Sequence, residues 1–213
     1  MLKVLVADDH PLFREAVVLA IKHLGEESEI FEAGTLEDAC SVAAEVPQLD
    51  LLLLDLRMPG ANGLSGLLEL RRRFPALPVV VVSATEEPRV IREAIASGAM
   101  GFVPKSLDRS AISEALRHVL AGETWQPEGD ATMTAADSEV PVAKRLETLT
   151  PQQDNILRLM VAGKPNKIIA YELDLSIKTI EAYRATLMSK MEAGSVAELA
   201  QMAALVGRDK GKP

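Results

Sequence analysis

The sequence is poor in several things, and each shortage closes a possibility. Cysteine occurs once in 213 residues, as Cys40, so an intrachain disulfide is excluded. Its place beside Val42 and Ala43 in an amphipathic stretch marks it as a small buried hydrophobe. Aromatic residues make up only 3% of the chain, so the core has to be aliphatic. No apolar run reaches the roughly 18 residues of a membrane span, and Met1-Leu2-Lys3-Val4 leads into a strand pattern rather than a signal peptide. The expected setting is cytoplasmic, with no membrane partner. Cations are in deficit as well, with 23 Lys+Arg against 31 Asp+Glu, which argues against a chain coated along its length by nucleic acid.

The residues that are present fit a globular protein. Hydrophobic residues at 48% and a mean hydropathy of +0.12 exclude disorder as the dominant state. A length of 213 residues is comfortable for two domains, and the charge divides the same way. Residues 1–145 hold 14 Lys+Arg against 23 Asp+Glu, whereas residues 146–213 hold nine against eight. An acidic module is joined to a nearly neutral one, and the whole-chain charge does not exclude nucleic-acid binding by the second.

Over residues 1–121 two patterns alternate. Strand-like runs at Lys3–Ala7, Glu29–Ala33, Leu51–Asp55, Pro78–Ser83 and Gly101–Pro104 are separated by amphipathic helical stretches. Thr35 with Asp38 resembles a capping box, and Gly25, Gly98 and Gly122 stand just past helix ends. Five strands alternating with five helices imply a doubly wound α/β domain, its parallel sheet covered on both faces. Residues 122–145 mix Gly, Pro, Thr, Ser and acids without periodicity and read as a linker in which Trp125 packs back on the first domain. Residues 146–207 read as four short helices, the first opened by Thr150-Pro151-Gln152-Gln153 and the last by Ser195-Val196-Ala197-Glu198, with a tail over 208–213. The triple Arg71-Arg72-Arg73 ends a helix, where cations complement the dipole, and reads as a solvated end rather than a nucleic-acid patch.

The chemistry concentrates at the carboxyl ends of the strands, where parallel sheets collect ligands. The first strand delivers Asp8 and Asp9, the third Asp55, the fourth Ser83 and the fifth Lys105. Any one of these could be a turn or a helix cap. Together they form a hard-oxygen cluster with no obvious histidine ligand, suited to Mg²⁺. Burying Asp55 behind four leucines is costly unless cations surround it.

VLVADDHPLFR, LLLLDLRMPG, VVVVSA and GFVPKS, in this order, resemble the receiver domain of two-component response regulators, a flavodoxin-like fold. The resemblance implies that Asp55 accepts a phosphoryl group from a sensor histidine kinase. It implies that Asp9 and Asp55 ligate Mg²⁺, with Asp8 acting through water and the backbone carbonyl of Arg57 completing the set. Ser83, Lys105 and the switch aromatic Phe102 would respond to the phosphate. Ser106 stands after Lys105 where many receivers have proline, so a cis peptide is not carried over.

The second half is similar to the LuxR-type helix-turn-helix of the FixJ/NarL subfamily, most clearly in GKPNKIIAYELDLSIKTIEAYR. In the third helix of this half, Ile177, Ile180, Leu187 and Met191 recur at helical spacing and are expected in the core. The opposite face, with Lys178, Glu181, Ala182, Ala185 and Ser189, is small enough to enter a major groove about 12 Å wide. Lys164, Asn166, Lys167, Lys178, Thr179, Arg184 and Lys190 are the expected backbone-contacting residues on a double-stranded operator. Glu181 opposes phosphate but can accept from cytosine, and Tyr183 stands where the family often has histidine. With so little net charge, one copy should bind weakly, so a homodimer on a two-fold site is expected when phosphorylated. Val196, Leu199, Met202 and Ala203 on the last helix are candidates for that contact.

These residues together read as a phosphorylation-controlled DNA-binding transcription regulator, not an enzyme beyond its own phosphoryl acceptance and autodephosphorylation. A Mg²⁺-dependent aspartyl-phosphate phosphohydrolase competes, but such enzymes commonly carry a second aspartate two residues after the nucleophile, where this chain has Arg57. A protein-only phosphate sink is disfavoured by the recognition helix.

Overall fold

In the computed structural model, residues 1–25, 27–127 and 142–209 are described, without the side chains of 205–209. The middle of the expected linker and the end of the expected tail lie outside them. The elements run β1 (Leu2–Ala7), α1 (Pro11–Lys22), β2 (Ser28–Ala33), α2 (Leu36–Glu45), β3 (Leu51–Asp55), α3 (Leu64–Arg73), β4 (Val79–Ser83), α4 (Pro88–Ala96), β5 (Gly101–Pro104) and α5 (Arg109–Leu120). The chain continues as α6 (Val142–Glu147), α7 (Pro151–Val161), α8 (Asn166–Leu173), α9 (Ile177–Met191) and α10 (Val196–Asp209).

All pairings among β1 to β5 are parallel, in the order β2-β1-β3-β4-β5. This places β1, β3, β4 and β5 side by side, so their carboxyl ends share one rim. The apolar strands β3 and β4 are buried throughout because helices cover both faces. The β5 edge is closed by the chain itself: Phe102 N donates to Trp125 O (3.0 Å) and Trp125 N to Met100 O (3.1 Å). Trp125 thus packs on the first domain, and α6 starts inside the stretch expected to be linker.

Capping chemistry sets the helix starts of the second half. At α7 the Thr150 hydroxyl accepts from Gln153 N while Gln153 reaches back to Thr150 N. At α10 the box is displaced by one residue: Glu198 N donates to Ser195 Oγ, but the Glu198 carboxylate takes Gly194 N.

The two halves are docked. Ala76 and Met100 of the first share one buried cluster with Ile156 and Tyr183 of the second. Gln153 Nε2 donates to Gly122 O (2.7 Å), Thr186 Oγ1 to Ala121 O (2.5 Å), Gln48 N to Asp174 Oδ1 (3.2 Å), and Gln152 Nε2 to Ala76 O.

Candidate functional site

The carboxyl rim gathers the strand-end residues. Asp8 and Asp55 are 2% and 1% exposed, and Lys105 Nζ lies 2.6 Å from Asp8 Oδ2 and 2.8 Å from Asp55 Oδ2. The lysine stem crosses Phe13, placing Nζ 4.9 Å from the ring centroid. Arg57 N donates to Asp55 Oδ1 (3.0 Å), fixing the carboxylate from its own loop. Ser83, at the end of β4, accepts from Thr85 N (3.1 Å), which leaves its own proton to give. Asp55, Arg57 and Lys105 line an open cleft of about 350 Å³ with His10, Leu12, Phe13 and Ala84.

A histidine stands in the cluster, contrary to the expected all-oxygen set. His10 Nδ1 is 2.7 Å from Asp9 Oδ1, 3.2 Å from Asp8 Oδ1 and 3.8 Å from Asp55 Oδ2. The signal is present in the sequence, since His10 directly succeeds the two aspartates at the same strand end, just before α1 begins. One ligand atom from each of Asp8, Asp9, His10 and Asp55 lies within 4.8 Å of the others, so the group could hold a metal ion. A hard divalent cation fits this donor set. Buried Asp8 Oδ2, although ion-paired with Lys105, completes no hydrogen bond among the described residues.

Phe102 is fully buried in the cluster that includes Ile91 and Ala94 of α4. Rearrangement within the core, rather than entry from solvent, is the movement open to it. Arg57 reaches over the rim to Thr85 Oγ1 (2.6 Å), and Ser106 Oγ donates to Glu86 (2.5 Å), tying the loops after β4 and β5 together.

In the second half, α8 and α9 are joined by a turn in which Asp174 adopts the left-handed conformation (φ 52°). The exposed ridge of α9 carries Lys178, Glu181, Ala185 and Ser189. Lys167 is exposed beside it, Lys164 pairs with Glu172 (2.5 Å), and Arg184 donates to Asn166 Oδ1 (3.2 Å). Ile180, Leu187 and Met191 are buried, but Ile177 is 45% exposed, because the first turn of α9 overhangs the core.

A second stripe, Thr179, Ala182, Tyr183 and Thr186, is turned toward the first half. Thr179 Oγ1 donates to Asp50 Oδ1 (2.5 Å), and Ala182 lines a gap of about 360 Å³ between the halves. Tyr183 is buried with its hydroxyl unpartnered among the described residues, and burial pushes its pKa up, against the pull of Arg71. Lys190 is drawn inward rather than toward a groove. It donates to Thr148 O (3.3 Å) and Gln153 Oε1 (3.2 Å), and burial lowers its pKa against the opposing pull of Glu123. Among the dimer candidates, Leu199 is wholly buried in the domain's own core, Val196 and Met202 pack against it, and Ala203 is half-buried.

Residues 4–117 match the response regulator receiver domain, and residues 147–203 match the bacterial regulatory proteins of the luxR family. The chain belongs to the FixJ/NarL response regulators. It joins a receiver domain to a LuxR-type DNA-binding domain, as transcription regulators of this family do. The regulator is 38% identical over 198 residues to the glycerol metabolism activator of Pseudomonas putida, covering 90% of each chain. It is 32% identical over 200 residues to the nitrate/nitrite response regulator NarL of Escherichia coli K12, covering 92% of each. Its fold is like that of the RcsB response regulator of Salmonella typhimurium, with a TM-score of 0.56 at 22% identity, covering 96% of this chain and 98% of that one. Among the described residues no helix is long and apolar enough to cross a membrane.

Proposed function

We propose that the regulator accepts a phosphoryl group on Asp55 from a sensor histidine kinase and thereby changes its dimerisation and its binding to a double-stranded DNA operator. The observation that carries the reading is Asp55 itself, a carboxylate 1% exposed at the end of the central strand, facing a lysine and three further side chains able to ligate a metal. On this reading residues 1–121 are the receiver, 122–145 the linker and 146–207 the DNA-binding domain, acting in the cytoplasm.

Asp8, Asp9 and Asp55 would hold Mg²⁺, with the Arg57 carbonyl. When bound, the ion screens the phosphoryl oxygens from the attacking carboxylate. A carboxylate oxygen of Asp55 attacks phosphorus, the phosphorus–nitrogen bond of the donor breaks, and the imidazole leaves. Lys105, already at Asp55, transfers its contact to a phosphoryl oxygen. Ser83 donates a hydrogen bond to another. Both shifts are transmitted to the loops after β3, β4 and β5, the first two coupled by the Arg57–Thr85 bond and the last two by the Ser106–Glu86 bond. His10, seated between Asp8 and Asp9, orients those carboxylates.

The docked arrangement is the low-affinity state. The receiver covers the Thr179–Thr186 flank of α9, next to the exposed ridge that would enter a groove. The buried Tyr183 hydroxyl, unpartnered among the described residues, weakens docking by about 1–3 kcal/mol relative to a paired one. Lys164, Asn166, Lys167, Lys178, Thr179 and Arg184 contact the backbone once α9 is free. Glu181, Ala182 and Ala185 face the bases. Val196, Met202 and Ala203 remain available for the dimer contact. The test is labelling by a small phosphodonor with Mg²⁺: wild type should take up hydroxylamine-labile phosphate and Asp55→Ala none, whereas equal labelling would remove Asp55 as the acceptor.

A further inference from the structure

Asp50 stands at the opposite end of β3 from Asp55, just before the strand begins, and is 3% exposed. A buried carboxylate needs donors. One oxygen, Oδ2, accepts from Lys3 N (3.0 Å), which ties the starts of β1 and β3 and is an ordinary structural role. The other, Oδ1, looks away from the sheet and accepts from Thr179 Oγ1 (2.5 Å), across 129 residues of sequence. Thr179 lies in the first turn of α9, where Thr179 N is satisfied by the Ser176 cap (3.1 Å) and the two hydroxyls are 2.8 Å apart. The 15-residue helix carries its positive dipole end here, and Lys178 and Arg117 line the adjoining gap.

We infer that Asp50 is an intramolecular stand-in for a DNA backbone phosphate, occupying the hydroxyl and helix-start site on α9 that the operator needs. A carboxylate and a phosphodiester present the same chemistry at this position: an anionic oxygen accepting from a hydroxyl at a helix N-terminus beside a lysine. Thr179 has one proton to donate, so it serves either Asp50 or the duplex. Docking and DNA binding therefore compete for the same group, in addition to any steric exclusion. The inference rests on the proposed DNA-binding function and assigns the competitor within it.

The experiment uses the full-length chain and a mixed-sequence 30-base-pair duplex at low salt, read by fluorescence anisotropy, with and without a small phosphodonor. Asp50→Asn keeps the acceptor for Lys3 N and removes the charge. Without phosphodonor it should bind DNA at least about tenfold more tightly than wild type, the size expected for losing one charge-assisted hydrogen bond. With phosphodonor the two should bind alike. Thr179→Ser should behave as wild type, and Thr179→Val in the Asp50→Asn background should lose the gain. Unchanged affinity in Asp50→Asn, while wild type still responds to phosphodonor, would overturn the inference and leave the function intact. A wild type that never gains affinity with phosphodonor would instead count against the function, whatever Asp50→Asn does.

Discussion

Gly122 lets α9 sit against the receiver: a Cβ built on it would stand 3.0 Å from the Cα of Tyr183, and its own φ is +83°. Both the close approach and the left-handed backbone ask for glycine. The left-handed backbone belongs to the turn that ends α5, so Gly122→Ala should cost the receiver about 1 kcal/mol docked or not, and should weaken docking through the clash with Tyr183. Small-angle scattering should show a larger radius of gyration for the variant, with the receiver still folded by circular dichroism. An unchanged radius would mean that docking tolerates the methyl group.

Tyr183 supplies a pH test. Burial raises its phenol above the ordinary value of 10.0, so above about pH 10 the docked form keeps a proton that the undocked form releases. Docking is unaffected below that value and weakens as pH rises through the window toward the folded pKa. In a spectrophotometric titration, Tyr183 should ionise late in wild type and earlier in Gly122→Ala. Identical titrations would contradict burial of this phenol at the docking surface.

Much of the receiver is legible in the sequence. Parallel strands read as continuous apolar runs, and the residues just past each run must reach the carboxyl rim, so Asp8, Asp55, Ser83 and Lys105 can be gathered by position alone. His10 can be found the same way, one residue beyond Asp9. In the second half, helical periodicity places Ile180 and Leu187 in the core but cannot tell an overhanging first turn, so Ile177 reads as core and is exposed in the fold. Leu199 reads as a dimer residue because a terminal helix has no visible partner in sequence, whereas the fold puts it in the domain's own core. The docked flank is not legible at all. Thr179, Tyr183 and Thr186 find Asp50, Gly122 and Ala121 at 129, 61 and 65 residues' distance, and nothing local encodes those pairs.

Lys105 holds Asp8 and Asp55 together when no other cation does. Lys105→Met should lower the stability of the metal-free chain by about 3 kcal/mol, because two buried carboxylates lose their shared counter-charge. Added Mg²⁺ should recover more stability in the variant than in wild type, since the cation no longer competes with an ammonium. Thermal melts with and without Mg²⁺ measure both. An equal or smaller Mg²⁺ shift in the variant would show that the lysine and the metal do not share the site.

The coupling of Asp55 to DNA binding is the central claim. Duplex affinity of the full-length chain should be measured by anisotropy for wild type and Asp55→Ala, each with and without phosphodonor and Mg²⁺ at fixed salt. Wild type should tighten by about tenfold or more on phosphodonor, within the usual range of coupling between two sites, and Asp55→Ala should not respond. Equal tightening in both proteins, or none in wild type, would contradict it.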